Sequence, residues 1–435
     1  MTYDSQIIDS VFSAHGIAAG VADAFQTATQ TWYTIGRSAA QRIDPILNLV
    51  KELDDTLTRA HGKDCMVRFD SRPLRMSVPR QDAQPLLLAS LLAQWARKGT
   101  QFADNRLLTV LGEAVTTAIK PYAIDLSGSS NPHVFVAGTT GSGKTNAIAQ
   151  MVLSTCYLYS PAQLQLVMVD PKGFDRNGVA LPELDALPQL VTPTVTEPEK
   201  AVEALRWAVA EMDRRKAEAD YYAPRLLVVV DELADLMAVA GAEVEAALTR
   251  ILQVGRGTGV HVIAATQKPT SAIVGSLVKA NFPARYVGKV TGKVDANVAA
   301  DMPGCGAERS AGRGDFVLVR SGEFTRIQAY FVPKADGPQF AQAIRDRWQG
   351  VKPAARQMSL PQAEPSQNVQ AEPMPGALLS VFEEYAQSDG TLARGGLARA
   401  IAAISPDNPP AGGPPYYAAK TKVENHLLTY LQSDS

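Results

Sequence analysis

The chain has 435 residues, of which 46% are hydrophobic and 20% charged, a composition typical of soluble globular proteins with more than one domain. Its 42 Lys and Arg residues against 44 Asp and Glu residues give a formal net charge of −2, which excludes a protein that wraps nucleic acid with a uniformly basic surface. Three widely separated cysteines, Cys65, Cys156 and Cys305, provide neither a disulfide framework nor a zinc-binding spacing, so a reducing cytoplasm is expected. The longest apolar stretch, residues 85–95, is shorter than the ~20 residues that cross a bilayer, and no membrane association is predicted.

The first hundred residues predict a small α+β domain, residues 1–100. Apolar residues in the segment 42–58 recur at helical spacing and predict an amphipathic helix with one core-facing side, formed by Ile43, Ile46, Leu47, Val50, Leu53 and Leu57. Residues 31–35 and 65–78 contain the β-branched and aromatic residues, in short alternations, that are typical of strands.

Beyond residue 107, apolar strands alternate with helices. Strands are predicted at 133–137, 164–169, 225–230, 260–265, 285–289 and 316–319. Helices are predicted from Lys144, over 198–220 and over 243–254. Parallel strands separated by helical crossovers form a doubly wound sheet, so we expect an α/β domain over residues 101–350.

Residues 351–375 interrupt this alternation. The segment contains several glutamines and the prolines Pro353, Pro361, Pro365, Pro373 and Pro375, which predict a flexible or polyproline-biased linker. Helical patterning resumes in residues 376–435, which predict a small domain of three helices.

Residues 134–145, VFVAGTTGSGKT, contain the pattern G-x-x-x-x-G-K-T directly after an apolar strand. The glycines allow backbone N–H groups to surround phosphates, and the following helix points its positive N-terminus at them. Lys144 is predicted to reach the β- and γ-phosphates and Thr145 to coordinate Mg²⁺. The predicted nucleotide site comprises Gly138, Thr139, Thr140, Gly141, Ser142, Gly143, Lys144, Thr145 and Asn146.

Two further strand ends carry polar groups. Residues 226–232, LLVVVDE, would deliver Asp231 to Mg²⁺ and Glu232 to the attacking water at the carboxyl edge of the sheet. Alternatively, Glu232 only caps the next helix. The strand before Thr266 and Gln267 would place the Gln267 amide near the γ-phosphate, although a structural turn explains the same residues.

Several arginines follow in the same half of the chain. A guanidinium that reaches the γ-phosphate of a neighbouring subunit would stabilise the charge of the transition state. Arg256 is the first candidate for this catalytic role, with Arg285 and Arg313 behind it and Arg250 in the same region. Solvated surface arginines are the alternative.

Together these residues resemble the FtsK/SpoIIIE family of DNA-pumping motor ATPases, within the wider FtsK–HerA superfamily. Besides the loop AGTTGSGKT, the resemblance depends on VMVDPKGF at 167–174, LLVVVDELADLM at 226–237, GRGTGVHVIAATQKP at 255–269 and the segments 187–215, 277–296 and 306–319. It covers residues 102–332 well and the first hundred more faintly. Departures are Lys268, where the family usually has Arg, a short segment after Arg215, and GCGAE in place of a double-glycine form.

The resemblance implies a RecA-like P-loop fold and a homohexameric ring around double-stranded DNA. ATP would bind between subunits, with an arginine supplied in trans. Lys144 and Thr145 would bind phosphate and Mg²⁺, Asp231 and Glu232 would act on metal and water, and Gln267 would sense the nucleotide. Asp170 and Lys172 fall at a family motif whose role stays open. Residues 376–435 are either a reduced version of the family's DNA-reading winged helix or a helical interaction module.

The leading hypothesis is therefore a cytoplasmic, ATP-driven translocase of double-stranded DNA, with ATP and Mg²⁺ as cofactors and no other small-molecule substrate. Two alternatives remain open. One is a protein-secretion motor of the same superfamily. The other is a slow, nucleotide-gated partner in DNA packaging or in the handling of a mobile element's DNA.

Overall fold

The computed structural model describes residues 3–353, apart from 63–64, 66, 72–73, 81, 99–105, 117–119, 129, 174–178, 221–223 and 270–280, together with residue 423. The chain divides into two compact units, Met1–Leu360 and Pro361–Ser435. The predicted linker beyond residue 353 and the predicted helical domain 376–435 lie outside the described residues, Val423 excepted. No helix in the described part of the chain is both long and apolar enough to cross a membrane.

The N-terminal part contains an antiparallel four-stranded sheet with the order β1-β2-β4-β3. Its strands are β1 (Ala19–Gln26), β2 (Gln30–Arg37), β3 (Arg68–Ser71) and β4 (Leu74–Pro79). The helices that accompany them are α1 (Tyr3–Ala14), α2 (Ile43–Asn48) and α3 (Val50–His61). Both strand predictions and the α+β character of this part are confirmed.

The predicted helix over 42–58 is two helices. Leu49, with φ −80° and ψ 1°, leaves the helical conformation between α2 and α3, so the apolar stripe continues on a second helix in a new direction. Its core residues Ile46, Leu53 and Leu57 are nevertheless fully buried. The helix α3 ends at Gly62 with φ +71°, a left-handed conformation that glycine adopts without steric cost.

A nine-stranded sheet forms the larger part, in the order β6-β5-β13-β12-β11-β7-β10-β9-β8. Its strands are β5 (Leu108–Ala114), β6 (Pro121–Asp125), β7 (His133–Ala137), β8 (Leu164–Val169), β9 (Arg225–Val230), β10 (Val260–Thr266), β11 (Ala284–Val287), β12 (Asp315–Arg320) and β13 (Glu323–Gln328). The helices are α4 (Leu88–Lys98), α5 (Lys144–Leu158), α6 (Pro198–Ala217), α7 (Leu233–Thr258), α8 (Lys293–Ala300) and α9 (Asp336–Arg347).

Five strands, β11, β7, β10, β9 and β8, are parallel neighbours, as the sequence predicts. The other four strands pair antiparallel, so the sheet is mixed. One cause of the antiparallel pairing is the tight turn at Ser321 and Gly322, with φ +50° and +80°. A two-residue loop with both φ values positive forms a hairpin, which forces β12 and β13 to run in opposite directions.

Helices cover both faces of the parallel half. Side chains of α4, α5 and α9 belong to one apolar core, and those of α6, α7 and α8 belong to a second core on the opposite face. Every residue of β7, β8 and β10 is buried. Strands covered on both faces are continuous apolar runs, and this is why sequence patterning located them well. The predicted α/β class with a doubly wound sheet is confirmed.

The two sheets are joined through Arg326. Its guanidinium binds both carboxylate oxygens of Asp315, at 2.8 Å and 2.6 Å, and also Asp70 of β3, and it stacks over Trp32 at 5.2 Å. Burial would lower the pKa of Arg326, but the facing carboxylates outweigh burial and raise the pKa above the ordinary arginine value. This forked cluster fixes the N-terminal sheet against β12 and β13.

Candidate nucleotide site

The predicted phosphate loop lies between the end of β7 and the start of α5. Gly141 and Gly143 have φ values of +82° and +91°, which residues with a side chain rarely adopt. A Cβ atom at Gly143 would also lie 2.7 Å from the backbone nitrogen of Gly314. The loop therefore favours glycine at position 141 for its conformation and at position 143 for both conformation and space.

Neighbouring strand ends hold this loop from both sides. The Gly138 N–H donates to the Thr266 carbonyl at 3.2 Å, and the Thr139 N–H donates to the Lys289 carbonyl at 2.8 Å. The Thr140 hydroxyl donates to Oε1 of Gln267 at 3.3 Å. The backbone of the loop is thus positioned by β10 on one side and by the end of β11 on the other.

The segment 312–314 packs directly on the loop. The Arg313 N–H donates to the Gly141 carbonyl at 2.9 Å, and the Gly314 N–H donates to the Ser142 carbonyl at 2.8 Å. Sequence reasoning assigned no role to this backbone contact. The available signal was the pair of glycines at 312 and 314, because such close approach leaves no room for a side chain.

Lys144, Thr145 and Asp231 converge beneath the loop. Lys144 Nζ donates to the Asp231 carbonyl at 2.6 Å and also to carboxylate oxygen Oδ1 of the same residue. The Thr145 hydroxyl donates to Oδ2 of Asp231 at 3.3 Å. The side chains of Lys144 and Asp231 are each only 3% exposed, so the ion pair is shielded from solvent.

Glu232 faces the same space from the end of β9. Its Oε1 accepts a hydrogen bond from the Thr266 hydroxyl at 2.8 Å, and both carboxylate oxygens lie 3.2 Å from the Gln267 backbone nitrogen. Lys172 Nζ lies 3.1 Å from Oε2. The Glu232 side chain makes no capping hydrogen bond to α7. The alternative that Glu232 only caps this helix is therefore wrong.

The Asp170 carboxylate holds the turn that carries Lys172. The carboxylate accepts backbone hydrogen bonds from Lys172 and Gly173, both at 3.1 Å, and from Leu181 at 3.4 Å. Burial, and secondarily the nearby Asp231, raise the pKa of Asp170 despite these bonds. Asp170 thus orders the turn after β8 from which Lys172 reaches Glu232.

Asn146 is the exception among the predicted loop residues. Its side-chain amide donates to the Tyr330 carbonyl at 2.7 Å and accepts from the Val332 N–H at 2.9 Å. Because both ends of the amide are engaged by the segment after β13, this side chain joins α5 to that segment. The side chain of Asn146 is therefore not available to a nucleotide, and a contact through its backbone N–H stays a prediction.

The candidate arginines differ in their burial and in their ion pairs. Arg285 is buried, with Nε donating to the Phe282 carbonyl at 3.1 Å and Nη2 lying 3.2 Å from Asp301, so its candidacy for a neighbour's phosphate is wrong. Arg250 pairs with Asp213 at 2.8 Å. Arg256 is exposed in the last turn of α7, before the amino end of β10.

Arg256 is remote from the phosphate loop of its own chain. The seven residues of β10 separate it from Gln267, a length of about 20 Å at the usual rise per strand residue. The structure therefore brings Lys144, Thr145, Asp231, Glu232 and Gln267 together and leaves Arg256 at the opposite end of the sheet.

Comparison with known proteins agrees with this architecture. Residues 90–220 and 217–271 match the FtsK/SpoIIIE family. The DNA translocase FtsK of Bradyrhizobium diazoefficiens is 30% identical over 391 residues, which are 79% of this chain and 45% of that protein. That of Tropheryma whipplei is 39% identical over 229 residues, 46% of this chain and 30% of that protein. That of Rickettsia prowazekii is 28% identical over 386 residues, 78% of this chain and 50% of that protein.

Two solved structures share the fold. The pCW3 conjugation coupling protein TcpA, in its monomer form with ATPγS, gives a TM-score of 0.50 at 18% identity and covers 79% of this chain and 98% of its own. The cytoplasmic domain of the type VII secretion ATPase EccC of Thermomonospora curvata gives 0.52 at 21% identity and covers 64% and 36%. The chain spans at most about half the length of the three translocases named above. It belongs to the FtsK/SpoIIIE family of P-loop ATPases.

Proposed function

We propose that this chain is a motor ATPase that moves double-stranded DNA, working as a homohexameric ring with ATP bound between subunits. The observation that carries the ATPase assignment is the convergence of Lys144, Asp231 and Glu232 at one buried point under the phosphate loop. The DNA assignment is supported by family membership and by relatives that are DNA translocases.

The donor set fits Mg²⁺. Hydroxyl and carboxylate oxygens are the ligands that this hard cation prefers, and Thr145 Oγ1 lies 3.3 Å from Asp231 Oδ2. Thr145 and Asp231 would hold the ion, which neutralises charge on the β- and γ-phosphates when bound. The phosphates would replace Asp231 as the partner of the Lys144 ammonium, which frees the carboxylate for the ion.

Glu232 acts on the attacking water in this proposal. The Thr266 hydroxyl and the Gln267 N–H fix the orientation of its carboxylate, which leaves it to accept a hydrogen bond from water in line with the γ-phosphate. The Gln267 amide oxygen Oε1 accepts a hydrogen bond from the Thr140 hydroxyl at 3.3 Å, which leaves the amide Nε2 to donate to the γ-phosphate. Gln267 would thereby report the nucleotide state to β10.

Arg256 takes the role of the arginine supplied in trans. Its exposure and its distance of about 20 Å from the loop of its own chain mean that it meets a nucleotide only across a subunit interface. A ring satisfies this requirement, because each subunit presents its Arg256 edge to the phosphate loop of the next. The net charge of −2 is compatible with a motor that grips DNA through a few local contacts.

We further propose four regions along the chain. Residues 1–100 form a small domain beside the motor, residues 101–350 form the motor, residues 351–375 form a linker, and residues 376–435 form a C-terminal module that contacts DNA or protein. The Arg326 cluster would keep the first two regions in permanent contact.

The experiment is a steady-state ATPase assay of the full chain without polymer, with duplex DNA and with single-stranded DNA. We expect duplex DNA to stimulate hydrolysis and Lys144→Ala to abolish it. Lys51→Ala, at an exposed position on α3, is the matched control and should behave as the wild type. Displacement of a triplex-forming strand then measures movement along DNA.

The proposal fails if duplex DNA leaves the ATPase rate unchanged or if Lys144→Ala retains it. Stimulation by a peptide in place of DNA would instead indicate a protein-secretion motor. Hydrolysis with no displacement of the third strand would indicate a nucleotide-gated binding partner.

A further inference from the structure

The backbone of residues 312–314 is held in an unusual conformation. Gly312, Arg313 and Gly314 have consecutive φ values of +76°, +53° and +88°. Glycine accepts such values, but a long side chain at φ +53° is strained. Side chains at strained positions are retained where the surrounding structure imposes the conformation, and they cluster at functional sites.

Contacts to the phosphate loop impose this conformation. Besides its two hydrogen bonds to the Gly141 and Ser142 carbonyls, the segment is fixed by Gln328, whose Nε2 donates to the Arg313 carbonyl at 3.1 Å. A Cβ atom at Gly312 would lie 2.7 Å from the Gly141 carbonyl oxygen. The Arg313 side chain therefore leaves the backbone immediately beside the loop.

The Arg313 guanidinium is available for a ligand. It is exposed and makes no hydrogen bond or ion pair with the described residues of the chain. The neighbouring arginines differ, because Arg309 pairs with Glu308 at 2.8 Å and Arg326 binds Asp315. Of these three arginines, only Arg313, which packs against the phosphate loop, has a side chain without a partner in the described part of the chain.

The topology of the sheet decides which part of a nucleotide Arg313 faces. Strand β7 has β10 on one side and β11 on the other. The hydrolytic groups Asp231, Glu232 and Gln267 all come from β9 and β10, so the γ-phosphate lies towards that flank. Arg313 approaches from the opposite flank, that of β11 and β12, which is the side away from the γ-phosphate.

We propose that Arg313 binds the adenosine half of ATP in its own subunit, with its planar guanidinium stacked on the adenine ring. The proposal rests on the function proposed above, because it takes ATP as the ligand. Arg313 thereby recognises the base, and it does not serve the phosphate of a neighbouring subunit. A guanidinium stacks well on aromatic planes because it is flat and weakly hydrated.

The test compares two ligands, MgATP and inorganic triphosphate, by titration calorimetry on the full chain. Arg313→Gly removes the guanidinium while relieving the strain at φ +53°. We expect ATP to bind about tenfold more weakly to this variant, whereas the affinity for triphosphate should change by less than about twofold. The thermal midpoint should be unchanged or raised, because glycine adopts this conformation freely.

Ser321→Gly is the matched control. Ser321 also has a positive φ, +50°, but lies in the hairpin turn between β12 and β13. It relieves the same kind of strain without touching the loop, so its ATP affinity should equal that of the wild type.

An unchanged ATP affinity in Arg313→Gly overturns the assignment of Arg313 alone. Equal losses of ATP and triphosphate affinity also overturn it, because they show a phosphate contact. A wild-type chain that binds neither ligand would remove the nucleotide site itself, and with it both proposals.

Discussion

The two ends of the parallel strands β7 and β10 carry opposite kinds of buried polar group. At their carboxyl ends lie charged groups, including Lys144 on Asp231 and the Glu232 carboxylate beside Thr266. At their amino ends lie His133 and His261, both fully buried. The two ends are built from the same buried strands, so the difference arises from the segments that adjoin each end.

The histidines are held neutral. Burial lowers the pKa of His133 to about 4, and burial together with His133 lowers that of His261 to about 3. The Val262 N–H donates to Nδ1 of His133 at 3.1 Å, which requires that nitrogen to be unprotonated. Charged groups thus lie beside the glycine loop and the N-terminus of α5, whereas the amino ends of the strands carry buried, neutral imidazoles.

The largest expected effect is at the carboxyl ends. Glu232→Gln keeps the shape of the side chain but removes the negative charge that we propose acts on water, so we expect turnover to fall by about 10³-fold. We expect Lys144, Thr145 and Asp231 to bind nucleotide in this variant as in the wild type, so the affinity for ATP should change little. Rapid-quench hydrolysis and equilibrium ATP binding measure the two quantities separately.

A variant that keeps more than about a tenth of wild-type turnover would contradict the role of Glu232. Glu243→Gln is the matched control, because Glu243 lies on α7, the helix that follows Glu232, and forms an exposed ion pair with Arg206. Its turnover should equal that of the wild type.

The second prediction concerns the amino ends and pH. Both histidines have folded-state pKa values below the ordinary value of about 6.5, so the unfolded chain binds more protons as pH falls below 6.5. Their contribution to the free energy of unfolding is complete above that pH and is lost towards pH 4 and 3. Lowering the pH from 7.5 to 5.5 should therefore reduce the free energy of unfolding by about 2 to 3 kcal/mol through these two histidines.

Urea unfolding at a series of pH values measures this loss. In His261→Gln the amide can still donate to the Pro132 carbonyl, which lies 3.1 Å from His261 Nδ1. This variant should lose about half of the pH dependence between 7.5 and 5.5. If the free energy of unfolding falls equally steeply with pH in His261→Gln and in the wild type, His261 does not contribute to the pH dependence and the prediction is wrong.

The sequence pattern predicted the ends of the parallel strands well, because strands that are buried on both faces are continuous apolar runs. The strands His133–Ala137, Leu164–Val169 and Arg225–Val230 have the predicted bounds. No strand was predicted at Leu108–Ala114, Pro121–Asp125 or Glu323–Gln328, which lie in the antiparallel half of the sheet. Their pairing depends on partners distant in the chain, which a single-sequence pattern does not contain.

Other differences have local causes. The helix predicted over 243–254 is part of a longer helical stretch, Leu233–Thr258, which is kinked at Ala240 with φ −141° and ψ 47°. The site shows the same division between local and distant information. Lys144 and Asp231 were predicted from motifs, whereas the packing of residues 312–314 on the loop is a contact between segments about 170 residues apart and has no local signature.

The smallest predicted effect compares two buried threonines at opposite ends of β10. Thr266 donates to Glu232 at 2.8 Å, whereas Thr258 donates to the Gly255 carbonyl at 2.9 Å. Thr266→Val removes one of the donors that orient the Glu232 carboxylate but leaves the Gln267 N–H and Lys172 in place. Because those two donors remain, turnover should fall by about threefold to tenfold, within the range of one typical hydrogen bond, while the KM for ATP stays unchanged.

Thr258→Val makes the same chemical change at the end of β10 remote from the phosphate loop. It should lower the midpoint of urea unfolding to a similar extent and leave turnover intact. Equal losses of turnover in the two variants would mean that buried hydrogen bonds along β10 support catalysis through stability alone. A loss confined to Thr266→Val would show that the hydroxyl acts by holding Glu232, which is what distinguishes the carboxyl end from the amino end.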